Sequence, residues 1–398
     1  MLYNRAGMKL KIKNSKISGG LLFAILVIYE LVVISAIDVY VPALPVIRDE
    51  LMVSESYLNL TVFAFLFASA IVILAAGPIS DKIGRKPSLI TAGILFSLGS
   101  VVCAMASDVP VLVIGRILES IGMGFVCTLT TAIVEEAFAK ESVKSAMALL
   151  QSLILIGPFL APFAGTLMLT IADWRAIFWL LLALGIVCTL LCFLLPETRP
   201  NNIAKVNAAD SLKVLLGDKK FLIVVVLLGL SGLPCFAFIA VCSYICLDFF
   251  QESYMTYNIL YALVCAVSFA GPFIFQGLSK KLSNFKVFLV AMACFAASSV
   301  LMPIFGFVNC IICVACYLPY VLAEGIIRPL SFVILLDQPA KHVGTASSIA
   351  NFSYSILTSF GSVFATLSFW PNAVFATIGV LIASFIASAI FLVFYRLL

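Results

Sequence analysis

The chain has 398 residues, 63% of them hydrophobic and 11% charged, with a mean hydropathy of +1.19. That balance excludes a set of water-soluble domains and reads as a polytopic membrane protein. The formal charge of +5 is no nucleic-acid signature, because the basic residues are dispersed through short loops, and a single histidine with no ligand-spaced cysteines argues against a metal centre.

The basic segment from Met1 to Gly20 leads into an apolar run, as in a signal peptide. The run continues to about Tyr40 without a convincing small-residue cleavage site, so it is read as an uncleaved first span, with Met8 as an alternative start. Twelve spans follow from hydropathy, at about 20 residues or more each. They cover 20–45, 55–76, 87–106, 110–136, 144–168, 174–196, 220–248, 254–277, 286–305, 309–336, 343–368 and 371–396. The longest polar break divides the chain into a six-helix bundle over 1–196, a linker over 197–219 and a second six-helix bundle over 220–398. Twenty of the 24 Lys and Arg fall on one side of this layout, against only Arg48 and Arg175 on the other. The positive-inside rule then places both termini and the linker in the cytoplasm.

Span 1 carries Glu30 and Asp38 inside its apolar run. A charged side chain at bilayer depth costs about 2.5 kcal/mol or more on insertion scales, so such residues face a protein interior or a wet cavity. Eight positions separate them, roughly 12 Å along a helix, on overlapping faces. Span 4 carries Arg116 and Glu119. Counting about 1.5 Å per residue from the outer ends of both spans brings Asp38 and Arg116 to similar depths, roughly 10 Å below the outer surface. Glu119 is either a protonation site one turn from Arg116 or its ion-pair partner on the same helix.

The loop after span 2 reads Gly77-Pro78-Ile79-Ser80-Asp81-Lys82-Ile83-Gly84-Arg85-Lys86, and the loop after span 8 repeats it weakly, with Gly277 and Lys286 at the places of Gly77 and Lys86. Span 10 carries Glu324 and Arg328, four residues apart and able to satisfy each other as an internal pair. Two six-helix repeats with ionisable groups in equivalent spans match the build of secondary transporters, whose substrate sites lie near the midplane. Tyr29, Tyr57, Asn59 and Phe63 in the first half, with Phe236, Tyr244, Tyr257 and Tyr261 in the second, are the candidate cavity wall; each of the aromatics also fits a plain packing role. Glu135, Glu136, Asp248, Glu252 and Asp337 stand near span ends and read as solvated.

Four stretches carry a family resemblance. Gly77 to Lys86 resembles motif A of the major facilitator superfamily, whose Gly77, Asp81, Gly84, Arg85 and Lys86 positions would form a cytoplasmic latch in the outward-open state. Arg116 to Gly124 resembles its motif B, with Glu119 at the place of the usual Gln. Gly157-Pro158-Phe159-Leu160-Ala161-Pro162-Phe163-Ala164-Gly165 resembles the antiporter motif C, in which Gly157 and Pro158 would kink the helix, or only pack it. Asp38-x-Tyr40-x-Pro42-Ala43-Leu44-Pro45, with Glu30 eight residues earlier, resembles the first helix of twelve-span drug:proton antiporters of the Bcr/CflA and MdfA type. The resemblance implies the major facilitator fold and a proton-coupled exporter of lipophilic or cationic compounds in the bacterial inner membrane. It implies that Glu30 and Asp38 contact cargo and carry protons, with Arg116 as the regulating partner of Asp38. The expected partners are a small-molecule substrate, protons and the lipid bilayer, without nucleic acid, in a monomer that needs no cofactor beyond the proton gradient. Export of a metabolite or siderophore, or proton-coupled nutrient import, remains open on the same fold. No nucleophile–base–orienter set or phosphate loop is visible, so an enzyme is not expected.

Overall fold

The sequence punctuates its own helices. Ser18, Asp108, Asp218, Ser253 and Asn309 each stand before a helix and accept a backbone N–H of its first turn on the side chain. In the computed structural model, which describes residues 17–154, 156–199 and 208–397, most of these residues lie in helices joined by short turns. No strand occurs among the described residues, and eleven of their helices are long and apolar enough to cross a membrane. The helix at the place of span 11, Ala340–Phe364, has the length but not the hydropathy. Residues such as Ser355, Thr358 and Ser362 lower its apolar content, and the hydroxyls of Thr358 and Ser362 bond back to their own helix.

Two compact units emerge, Met1–Tyr40 with Ala68–Lys205, and Val41–Phe67 with Val206–Leu398. In the first, span 1 is the helix Gly19–Asp38 and packs beside span 4, Val109–Ala137, and span 5, Ser145–Ile171. Span 3, Arg85–Ala104, packs against spans 4 and 6, the latter Arg175–Cys192. Span 1 is shorter than its hydropathy suggests. After Asp38 the chain makes a single 3-10 turn, Val41–Ala43, and a short helix, Leu44–Leu51, because Pro42 and Pro45 cannot donate to a continuing helix. Asp38 is therefore the last residue of the membrane helix.

In the second unit, span 7 runs from Lys219 to Ser243 and ends in a π-helical segment, Tyr244–Phe249. Spans 8, 9, 10 and 12 are Tyr254–Ser279, Asn284–Phe305, Cys310–Leu335 and Ala373–Leu397. Pro234 interrupts the span 7 ladder. Nearby carbonyls are used by span 10, where the Tyr317 hydroxyl donates to Pro234 at 2.8 Å and the Tyr320 hydroxyl to Ser231 at 2.9 Å. The stretch expected as a plain linker contains the helix Ala208–Gly217, whose Leu215 joins a core with Phe221, Val224, Leu335 and Tyr354. The basic residues before position 17 and residues 200–207 of the linker lie outside the described residues.

Candidate functional site

Arg116 and Glu119 of span 4 meet the end of span 1, where Asp38 stands. Glu30, Asp38, Arg116 and Glu119 are at most 3% exposed. The Arg116 guanidinium donates to the Glu119 carboxylate at 2.7 Å and to the Ala36 carbonyl at 3.1 Å, and lies over the Tyr40 ring at 4.8 Å from its centroid. Ala36 belongs to the last turn of span 1, where helix carbonyls lack partners and the dipole favours a cation. Arg116 thus caps span 1 two residues from Asp38. Glu119 is held on its other oxygen by the Ser100 hydroxyl at 2.8 Å. Both oxygens are occupied, so in this state Glu119 serves as the ion-pair partner of the two sequence alternatives.

Glu30 stands apart from this cluster, beside the Thr130 hydroxyl and the Cys127 thiol of span 4. Among the described residues its Oε2 has no hydrogen-bond partner. Tyr29 turns the other way and donates to the Leu89 carbonyl of span 3 at 3.2 Å, as a packing residue does. Gly157 lets span 5 press on span 1 between the two acids; a Cβ there would come within 2.7 Å of Ser35 Oγ and 3.1 Å of Leu31 Cδ2. Pro158 follows it in the same helix, and Pro162 is a second proline within the span.

At the other end of the unit, the stretch read as a loop after span 2 is mostly helix. Span 2 continues from Leu60 to Ile83, past the end of its continuous apolar run, and the turn is Gly84 alone. Its φ of +114° is open only to glycine, and a Cβ would meet Glu197 Oε2 at 2.7 Å. A Cβ at Gly77, by contrast, meets nothing within 4 Å. Arg85 pairs with Asp81 and with Glu136, each at 2.7 Å. Glu136 is therefore no solvated end charge; it also accepts from the Thr198 hydroxyl at 3.0 Å. The Glu197 carboxylate caps span 3 by accepting the backbone N–H of Arg85 at 2.9 Å and of Lys86 at 3.2 Å. The Lys86 ammonium donates to the Phe193 carbonyl at 2.7 Å, and Arg199 to that of Lys82 at 2.7 Å.

The second unit gathers the remaining candidates in separate places. Arg48 pairs with Asp248 at 2.6 Å and Glu55 at 3.1 Å, and lies 5.5 Å from the Tyr244 ring centroid. They line a cavity of about 480 Å³ with Phe249 and Asn372. Asp248, read as solvated, is engaged here because Arg48 reaches it across 200 positions of sequence. Tyr57 is exposed, while Asn59 is buried and, among the described residues, its Oδ1 has no partner. Phe63 packs on Phe67 and Phe360, Phe236 on Tyr354, and Tyr257 on Tyr261. Glu324 and Arg328 communicate through a residue the sequence did not flag. The Tyr354 hydroxyl donates to Glu324 at 2.8 Å, and the Arg328 guanidinium lies 4.7 Å from the Tyr354 ring centroid.

The Major Facilitator Superfamily family model matches residues 26–362. The chain belongs to this superfamily. A multidrug resistance protein MdtL from Citrobacter koseri is 29% identical over 285 residues, covering 70% of this chain and 72% of the relative. One from Escherichia coli O139:H28 is 30% identical over 284 residues, covering 69% and 72%. One from Salmonella paratyphi C is 34% identical over a shorter stretch of 183 residues, 46% of this chain and 45% of its own length. Among solved structures, a D-xylose-proton symporter superposes with a TM-score of 0.76 at 18% identity, covering 93% of this chain and 96% of its own. The nucleoside transporter NupG does so with a TM-score of 0.75 at 12% identity, covering 94% and 98%. At these identities the structures carry the fold alone.

Within the superfamily pattern, the residues that sequence reading missed are Ser100, Tyr40, Glu136, Glu197 and Tyr354. Glu197 and Arg199 follow span 6 directly, and their charges beside an apolar end were the signal available. Tyr40 lay inside the quoted span 1 signature, but only the structure shows Arg116 on its face.

Proposed function

We propose that the chain is a proton-driven antiporter that exports small lipophilic or cationic compounds by alternating access. The observation that carries this reading is the Glu30 carboxylate, buried in a membrane helix with one oxygen unpartnered among the described residues. An uncompensated anion at that depth is costly, and a proton or a cationic cargo removes the cost. One site that accepts either is the requirement for exchange. Asp38 is the proton-coupling acid, because the Arg116 that caps its helix is the charge able to approach or leave it. A nearby guanidinium favours the ionised carboxylate, and its withdrawal favours proton uptake. In the cycle, a proton from outside neutralises the acids and displaces the cargo. Reorientation then exposes them inward, where the proton leaves and new cargo enters. The Asp81–Arg85–Glu136 cluster acts as the cytoplasmic latch. The relatives named as multidrug resistance proteins support a drug-like cargo. Both termini are assigned to the cytoplasmic side of a bacterial inner membrane, the working unit is a monomer, and no cofactor is required.

The test is efflux of a lipophilic cation from proteoliposomes with an imposed proton gradient. Asp38→Asn abolishes gradient-driven efflux, and Glu30→Gln weakens cation binding more than it weakens binding of a neutral compound. Full gradient-driven transport by Asp38→Asn would overturn the assignment.

A further inference from the structure

The C-terminal end of span 7 and the N-terminal end of span 10 bring two cysteines together from positions 64 apart in the sequence. The Cys310 thiol donates to Cys246 Sγ at 3.1 Å. Both are free thiols, and both are at most 2% exposed. Cys246 sits within the π-helical segment Tyr244–Phe249, and its carbonyl accepts the Glu252 N–H at 2.8 Å, which ties it to the loop that follows. Cys310 is the first residue of span 10, directly after the Asn309 cap and the exposed Val308. Helix alternation puts the loops at 250–253 and 306–309 on the same side of the membrane, whichever side that is.

We propose that Cys246 and Cys310 are a redox-active dithiol that closes to a disulfide under an oxidant of the disulfide class arriving from the outer side. The outer side rests on the orientation proposed above. The thiolate of one cysteine attacks the external disulfide, forms a mixed disulfide and releases one small thiol. The second cysteine attacks the mixed disulfide and releases the other. Two S–H bonds are lost, one S–S bond forms, two electrons pass to the oxidant, and the two protons end on the released thiols or in solvent. Oxidation is slow in the resting fold, because the sulfurs are covered and the first turn of span 10 must open to admit the oxidant.

The bond would act on the segment that Cys246 belongs to. A π-helical turn is an irregular stretch held by its surroundings, and this one carries Tyr244 and Asp248, the partners of Arg48 in the 480 Å³ cavity. Oxidised, span 10 pins that rim in place. Reduced, the rim is free to rewind and Asp248 to leave Arg48. The cross-link lies within one compact unit, so it sets the geometry of the Arg48 rim without barring alternation of the halves.

The test uses the full-length protein in lipid nanodiscs, incubated with oxidised glutathione or with a phosphine reductant, then unfolded, alkylated and mapped by mass spectrometry. Oxidation is expected to protect two cysteines from alkylation, to yield a peptide pair joined at Cys246 and Cys310, and to raise the thermal midpoint. Cys246→Ser and Cys310→Ser each lose the joined pair and the midpoint shift, whereas Cys242→Ser keeps both. Full alkylation of both residues after oxidation, or a cross-link from Cys310 to Cys242 instead, overturns the dithiol. Sidedness is read with a membrane-impermeant disulfide on right-side-out and inverted vesicles. Closure only in the inverted vesicles overturns the orientation and the outer oxidant together, while failure in nanodiscs overturns the dithiol alone.

Discussion

Replacing Glu119 separates what its charge does from what its shape does. In Glu119→Ala the Arg116 guanidinium, fully buried, keeps the Ala36 carbonyl and the Tyr40 face but loses the Glu119 carboxylate at 2.7 Å. Breaking one side of a buried pair costs about 3–5 kcal/mol, because the other charge stays buried. Ser100 adds little to that, since its hydroxyl also reaches the Phe96 carbonyl at 3.0 Å. Glu119→Gln is different. Its carbonyl oxygen can accept from Arg116 while its amide donates to Ser100 Oγ, so both contacts survive and only the charge assistance is lost. Charge-assisted bonds are roughly twice as strong as neutral ones, which puts the loss at about 1–2 kcal/mol. The two variants should therefore differ by about 2–3 kcal/mol, with Gln the more stable and in agreement with the motif B pattern. Denaturant-induced unfolding in bicelles measures the stability, and cation efflux measures retained function: Gln keeps transport within about tenfold of wild type and Ala loses it. Equal stability of the two variants, or an Ala variant as stable as wild type, would refute the account of Glu119 as the counter-charge of Arg116.

The remaining predictions concern the turn at Gly84 and the span 1–span 5 crossing. Gly84→Ala forces a residue with a side chain into φ +114° and pushes Glu197 off the start of span 3; a loss of about 3 kcal/mol, read by thermal unfolding, should come with increased labelling of cysteine probes placed beside the turn. Glu136→Ala should lower the thermal midpoint more than Asp81→Ala, because the Glu136 side chain is 14% exposed and that of Asp81 34%, and the more exposed ion pair is the weaker one. At Gly157, alanine needs rotation of the Ser35 hydroxyl and a small shift of the Leu31 methyl, both side-chain ends, and is tolerated. Valine drives further into Leu31, and should stop cation efflux while surface expression is retained.

What the sequence revealed depended on how far apart the partners lie. Arg116 and Glu119 are three residues apart on one helix, so their pairing was open to inspection, and the cost of charge in a bilayer marked them and the span 1 acids as special. The depth count brought Arg116 level with Asp38, inside the expected span; the helix in fact ends at Asp38, and Arg116 sits on Ala36 and Tyr40 there. Glu136 and Asp248 were misread because their arginines lie 51 and 200 positions away, and nothing local distinguishes an engaged end charge from a solvated one. The length of span 2 was misjudged because hydropathy reports the membrane and not the helix. The continuous apolar run stops near Ala76, but backbone hydrogen bonding continues to Ile83 and the glycine that can turn sharply comes only at 84. Span 1 shows the reverse, where apolar residues run on past the point at which prolines end the helix.

The tyrosine under Arg116 has a consequence for the energetics of the cycle. A carboxylate that takes up a proton stops attracting its guanidinium, and an arginine stranded in the interior would make every protonation event expensive. The face of an aromatic ring is a negative surface that no proton can neutralise, contributing roughly 0.5–2 kcal/mol towards holding a cation. In the proposed cycle Tyr40 would serve as a resting berth, letting Arg116 give up a carboxylate without returning to water. Tyr354 offers Arg328 the same kind of surface in the other unit. In that cycle the barrier to shuttling charge between acids would be lowered by an aromatic face that holds the cation while the carboxylates exchange protons.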